Sequence, residues 1–296
     1  MRTHALFFLI LLLIGLLAMA GCQQPADIAL TPEVTDDNLE VHAVVLPDSN
    51  IAVSSVDSSA VLPDDQVRYD GSCVINSVTW DAGTAVFTAA YSRVFFADSV
   101  VRVVGRKVGV GGMDAGALTL NGALMLKIPH RIPVDRFFGH DSSIVRGVEY
   151  LMDLTQSYQA DHAYSWIVYS HLSPVLNVSI ETPEALSVLS PRGGAVLSRN
   201  KNAEILWKGG KGKVSIIVSQ YDPLLKRAKP LLELRVKANT GRAVLPVKLL
   251  AMLPAQRYFV LTFILANRKE TPVSQPASGT ILVQAASVYN SYVEVR

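Results

Sequence analysis

Leu232-Glu233-Leu234-Arg235-Val236-Lys237 alternates apolar and charged residues without a break. Successive side chains of an extended chain point to opposite sides, so this hexapeptide has one apolar face and one charged face, the pattern of a half-buried strand. Upstream, Lys213-Val214-Ser215-Ile216-Ile217-Val218 places Val214, Ile216 and Val218 on one face in the same way. Downstream, Asn239-Thr240-Gly241 supplies turn residues. Arg257–Ala266 is apolar on both faces, as a central strand of a two-layer sandwich would be. Ile281–Ala285 and Val288–Val295 are expected as the last two strands. The fold class that follows is all-β.

About seven short strands within roughly 110 residues is the count of an immunoglobulin-like sandwich. Two motifs carry the same likeness. Leu253-Pro254-Ala255-Gln256-Arg257-Tyr258-Phe259-Val260 resembles the corner of fibronectin type III and related Ig-like domains. In that corner a Leu–Pro pair precedes a Tyr whose hydroxyl bonds back to the chain. Leu189-Ser190-Pro191-Arg192-Gly193-Gly194 followed by Ala203-Glu204-Ile205-Leu206-Trp207-Lys208-Gly209-Gly210 is similar to the opening of Ig-like modules on bacterial surface lipoproteins. The resemblance covers residues 186–296 and implies an Ig-like β-sandwich there. Upstream, Ala115–Gly122 looks like a β-rich segment often met before such modules.

The preceding half carries the same kind of pattern. Glu40–Leu46, Ser72–Thr79, Thr84–Ala90, Ser92–Ala97 and Val100–Val104 are short β-like runs rich in Val, Ile, Phe and Thr, separated by Pro-Asp, Asp-Gly and Ala-Asp-Ser turns. Ala117–Leu120 and Ala123–Ile128 flank Asn121-Gly122, a dipeptide suited to the positive φ angles of a two-residue hairpin turn. Val148–Leu154, Ala163–Tyr169 and Val175–Ile180 are expected as later strands, and Ser142–Asp153 is the nearest approach to a helical pattern. Residues 40–182 are therefore expected to form a β-rich module before the sandwich. The two differ in charge: residues 22–185 hold 9 Lys and Arg against 20 Asp and Glu, net −11, while residues 186–296 hold 17 against 5, net +12. Such asymmetry bears on partners and solubility rather than on fold.

The start of the chain has a different logic. Met1-Arg2-Thr3-His4 is positively charged, Ala5–Ala20 is apolar apart from Gly15, and no charge follows until Asp27. That is the form of a secretory signal, shorter than the roughly 20 residues of a membrane span. Leu17-Ala18-Met19-Ala20-Gly21-Cys22 resembles a lipobox, with Met19 where Leu is usual. The resemblance implies a bacterial envelope lipoprotein: a signal peptide at 1–21, cleavage before Cys22, acyl chains on Cys22, and a lipidated tether over 22–39. Gln23 after the lipidated cysteine implies the outer membrane, by the sorting rule of enteric-type lipoproteins. One acyl chain holds a protein only reversibly and two hold it stably. Cys73 is then the only thiol left, so no internal disulfide is available. Its Cys73-Val74-Ile75 setting suits a small buried hydrophobe, with an intermolecular disulfide or reactive thiol as the alternative.

Candidate chemistry is sparse. Gly105–Gly116 is glycine-rich but lacks the P-loop ending and the following helix, which leaves a flexible loop or strand bend. His130, His140, His162 and His171, with Asp141 and Asp161, have no metal-ligand spacing, so neither metal nor cofactor is expected. No G-x-S-x-G elbow is present, and Asp36-Asp37 and Asp64-Asp65 are adjacent pairs of a kind that faces solvent. Trp80, Trp166 and Trp207, with Tyr164 and Tyr169, form either core or a sugar-stacking platform. The basic residues Arg192, Arg199, Lys201, Lys208, Lys211 and Lys213 fall in Gly-spaced, turn-rich sequence and are expected to form an outward patch for an anionic partner. Docking between the acidic and basic modules is the competing account. The functional expectation is a non-enzymatic binding or scaffolding lipoprotein of the cell envelope that does not meet nucleic acid. An envelope glycan-binding protein or hydrolase stays open beside it.

Overall fold

The computed structural model of the chain describes residues 39–43, 69–103, 106–135, 141–170, 173–223, 227–254, 257–276 and 278–296. The signal segment, Cys22 and all of the expected tether but Leu39 lie outside the described residues. The described residues are nearly all β: eighteen strands in three sheets, with one short helix, α1 (Val247–Met252). Among them no helix is long and apolar enough to cross a membrane.

The largest sheet has eleven strands. Its order is β1 (Leu39–Ala43), β15 (Arg227–Val236), β14 (Val214–Asp222), β17 (Arg257–Val273), β18 (Gly279–Val295), β2 (Gly71–Asp81), β3 (Val86–Val103), β4 (Arg106–Gly112), β8 (Asp141–Asp153) and β7 (Leu126–Asp135). β12 (Val196–Leu197) adds in parallel to β18. Pro129 and Pro133 are tolerated in β7 because it is an edge strand, with one side that feeds no ladder. A four-stranded sheet runs β10 (Ser173–Glu181), β9 (Ala163–Ser170), β5 (Ala117–Leu120) and β6 (Ala123–Leu124). A three-stranded sheet runs β11 (Ser187–Ser190), β13 (Ala203–Lys208) and β16 (Arg242–Leu245).

Register places both smaller sheets on the same side of the large one. Residues opposite each other in a ladder share a face, and faces alternate along a strand. Phe263 pairs with Tyr289, which by alternation shares its side of β18 with Ile281, Val283 and Ala285. Trp207 of β13 reaches Phe263 across the gap, ring centroids 6.4 Å apart. Ile281, Val283 and Ala285 instead join Cys73, Ile75 and Phe96 in a core covered by Leu118, Trp166 and Val178 of the four-stranded sheet. One strand, β18, thus enters both cores. A second apolar cluster of Val78, Ile217, Ile264, Ala286 and Val288 lies on the opposite side of the large sheet.

The segment between the two sequence modules, Thr182–Leu186, carries no strand. The large sheet nonetheless runs across that division. β18 pairs in parallel with β2 from Ile281–Gly71 to Ser291–Asp81, and β1 pairs antiparallel with β15.

Several element expectations change. Val86–Val103 is one strand, not three, because Asp98 and Ser99 are absorbed in a bulge between Ala97 and Val100 instead of forming a turn. Ser142–Asp153 lies in β8, with Glu149 and Tyr150 buried between neighbouring strands, and is not helical. Ile281–Ala285 and Val288–Val295 are one continuous strand, since Ala286 and Ser287 are small enough to be buried within it. The glycine-rich run forms β4, where a Cβ on Gly112 would stand 2.2 Å from the Val148 carbonyl oxygen. The Asn121-Gly122 hairpin forms as expected, with φ of 49° and 83°.

Candidate functional site

The six basic residues singled out from the sequence separate by strand direction. β13 runs from Ala203 to Lys208, so Lys201 lies off one end of it and Lys208, Lys211 and Lys213 off the other. At about 3.3 Å per residue the two groups are roughly 20 Å apart. Arg192 and Lys201 are exposed. Arg199 is half-buried: its guanidinium donates to the Ala251 carbonyl, and its backbone N–H donates to the Arg296 carbonyl at 2.8 Å.

Lys208, Lys211 and Lys213 are exposed on a loop whose other members are glycines. Gly209 and Gly210 hold φ of 100° and 87°, a region that disfavours any side chain. A Cβ on Gly209 would meet the Ala185 carbonyl oxygen at 2.0 Å, and one on Gly210 would meet Leu265 Cδ2 at 1.9 Å. Asn239 braces the loop: its Nδ2 donates to the Gly210 carbonyl at 2.6 Å, while its Oδ1 accepts from Trp207 Nε1 at 2.8 Å. Trp207 is buried against Phe263, which ties that brace to the core. From the other side the Gly210 N–H donates to Glu184 Oε2 at 3.0 Å. The lysines therefore project from a fixed backbone. An ammonium offers three donors and no acceptor, so the side chains of the loop present positive charge and donors only.

Two more cations stand at this end. Lys237 follows Val236, which pairs with Leu39, and its Nζ is 4.0 Å from Glu40 Oε1. Arg242 Nε lies 2.6 Å from Glu204 Oε1. Among the described residues Lys208, Lys211 and Lys213 have no such carboxylate partner.

The other candidates are placed differently. His140 and His171 lie outside the described residues. His130 and His162 stand apart, on β7 and ahead of β9, and His162 sets its ring edge against Tyr164. His130 Nδ1 lies 3.0 Å from Glu149 Oε2, its Nε2 is 3.2 Å from the Val110 carbonyl, and Arg93 Nη2 donates to the same Glu149 oxygen at 2.7 Å. Burial alone would raise the Glu149 pKa, but the His130 bond and the Arg93 charge outweigh it and hold the carboxyl below its ordinary value. Only 14% of the His130 side chain and 11% of the Glu149 side chain are exposed. That enclosure makes the trio a brace across β3, β4, β7 and β8 and leaves little opening for a substrate.

Trp166, Trp207 and Tyr164 are core residues, and Trp166 Nε1 donates to Ser92 Oγ at 2.9 Å. Trp80 is half-buried and stacks on Phe87, centroids 4.7 Å apart and 13° from parallel, with Phe87 60% exposed. Tyr258 is 53% exposed and pairs in the ladder with Tyr221 and Glu294.

Two networks had no signal in the sequence. Asp81 is buried at the end of β2; its Oδ1 accepts from the Gly83 N–H at 2.9 Å and its Oδ2 from the Tyr289 hydroxyl at 2.8 Å, and the Gly193 N–H also donates to it. A Cβ on Gly193 would lie 2.3 Å from the Asp81 carbonyl oxygen, so the Ser-Pro-Arg-Gly-Gly turn needs glycine to reach the β2–β3 hairpin. The Tyr150 hydroxyl accepts from the Ala115 N–H at 2.8 Å and lies 3.1 Å from both Asp114 Oδ1 and the Gly116 carbonyl. Both join groups distant in sequence, which local patterns do not reveal. Comparison of the chain with protein-family models and with curated proteins finds no match in either.

Proposed function

We propose that this chain is a lipid-anchored envelope protein that acts by binding, or as a scaffold, and that the Lys208–Lys213 loop is its contact with an anionic envelope component. The observation that carries the reading is three exposed lysines without a carboxylate partner among the described residues, held on a loop that Trp207 and Asn239 tie to the core. Placing the β11-β13-β16 sheet against β15-β14-β17-β18, with β12 parallel to β18, supports an Ig-like, fibronectin type III-like reading of residues 186–296. Anchoring at Cys22 and outer-membrane placement rest on the lipobox and on Gln23.

The test uses the full chain in detergent, with heparin as a soluble polyanion. Binding at low salt should weaken as salt rises, because exposed charges act over about 10 Å at 0.1 M. Lys208→Glu, Lys211→Glu and Lys213→Glu together should abolish it, while Lys201→Glu should leave it nearly intact. Equal loss from both variants would show that net charge, and not this loop, carries the binding. Intact-mass analysis should find an acylated Cys22 at the N-terminus; a free thiol there would remove the anchor from the proposal.

The Trp80–Phe87 stack favours a second reading, glycan binding, because an exposed aromatic face can receive the apolar side of a sugar ring. Phe87→Ala would abolish retention on a neutral glycan array if that reading holds.

A further inference from the structure

We infer that the Lys208–Lys213 loop faces the membrane that holds the chain's own lipid, and that its ligand is the anionic headgroup layer of that membrane. The inference rests on the proposed anchoring and anionic contact, and names the partner.

Composition is the first argument. Lys208-Gly209-Gly210-Lys211-Gly212-Lys213 contains no residue other than lysine and glycine. Recognition of a defined small ligand or a folded partner needs acceptors, apolar contacts or planar donors placed to match its shape. The side chains of this loop offer ammonium groups alone, which suits a surface of many interchangeable negative charges. Glu184, whose carboxylate accepts the Gly210 N–H at 3.0 Å, keeps its charge beside the loop, so three positive charges stand there against one negative.

Position is the second argument. The chain enters the sheet at Leu39, opposite Val236 and next to Lys237. Asn239, two residues further on, bonds directly to the lysine loop through the Gly210 carbonyl at 2.6 Å. The point where the chain arrives from Cys22 and the lysines are therefore on the same end of β13, β14 and β15. The segment from Cys22 to Leu39 can span at most about 60 Å. In an anchored chain this end of the sheet is the one joined to the lipid, and attachment makes a contact with the membrane intramolecular, so individually weak charges are effective. Each lysine near an anionic leaflet contributes roughly a fivefold preference, on the order of 100-fold for three.

Among the described residues the opposing charges at this end are Glu40, paired with Lys237, Glu204, paired with Arg242, and Glu184. None of these described carboxylates forms an ion pair with a lysine of the loop.

The full lipidated chain is reconstituted into vesicles of phosphatidylcholine alone or mixed with phosphatidylglycerol, and its lysines are footprinted with a water-soluble acylating reagent read by mass spectrometry. In the anionic vesicles Lys208, Lys211 and Lys213 should be protected by tenfold or more relative to neutral vesicles, with protection lost in high salt. Lys201 and Lys229 should react equally in both. Equal reactivity of the three loop lysines in both vesicles overturns the inference. A parallel arm adds heparin to the neutral vesicles. If heparin protects the loop and anionic vesicles do not, the membrane assignment falls while the anionic-contact reading stands; if neither protects, both fall. A chain without an acyl group on Cys22 also overturns the inference, because it removes the anchor.

Discussion

Replacing Asp81 by Ala tests the joint between the β2–β3 hairpin and the 191–194 turn. The carboxylate is buried and receives the Gly83 N–H, the Tyr289 hydroxyl and the Gly193 N–H. A hydrogen bond to a charged group contributes about 1.5–3 kcal/mol, and each buried donor left alone costs about 1–3 kcal/mol. Relaxation and water entry recover part of this, so Asp81→Ala should destabilise the fold by about 3–5 kcal/mol. For a chain of this size that lowers Tm by roughly 6–20 °C. Asp81→Asn keeps an acceptor oxygen and should lose less. The pH dependence has a definite sign. Burial by itself would raise the Asp81 pKa, but the Gly193 and Gly83 N–H groups, the Tyr289 hydroxyl and the Arg192 charge outweigh it and hold it below the ordinary 3.8. A group with a depressed folded pKa contributes stability that is fully present above its unfolded pKa and is lost as pH falls through the folded value. The gap between wild type and Asp81→Asn in urea unfolding should therefore be level near neutral pH and shrink below about pH 4. A cost for Asp81→Ala under about 1 kcal/mol, or a gap that widens in acid, would refute the reasoning.

Burial pushes the Cys73 thiol pKa well up, so native protein should resist alkylation at mildly alkaline pH and take up reagent at Cys73 only when unfolded by denaturant. Tyr150→Phe removes the hydroxyl that binds the Ala115 N–H and should cost about 1–3 kcal/mol in urea unfolding, with β5 and the Asp114 loop showing the largest gain in hydrogen exchange. Residues 186–296 expressed alone would leave Ile281, Val283 and Ala285 without the core they enter, so calorimetry should find no sharp transition; a sharp one would contradict the shared-core description.

The parts of the fold legible in the sequence are those decided by neighbours along the chain. Alternation marked β14 and β15, and Asn121-Gly122 marked its hairpin because those two residues take the φ the turn demands. Strand ends were less legible where a residue's role depends on distant packing. Ala286 and Ser287 look like a break until the strands on either side of β18 are known. Ser142–Asp153 does not alternate cleanly as a strand, since the charged Glu149 takes a buried position beside Arg93 and His130, from β3 and β7. Charge division between the halves was plain, but the grouping of the lysines was not. It follows from the direction of β13, which sends Lys201 and Lys208 to opposite ends. The Asp81 joint was invisible, because its donors come from residues near 193 and 289.

The pairing of β18 with β2 also sets a schedule for synthesis. β2 ends at Asp81 and β18 at Val295, so roughly 200 residues, or about 10–40 s of translation, separate the two. Throughout that interval β2 can find β3 but has an open edge on the other side, an apolar one that invites pairing with any other extended chain. The first half cannot close its core while the ribosome is still at work on the second, and a product that stops before β18 would never close it. A sheet whose middle joins two strands so far apart in the chain stays open until β18 has been made, and until then the free edge of β2 is the place where wrong pairing would begin.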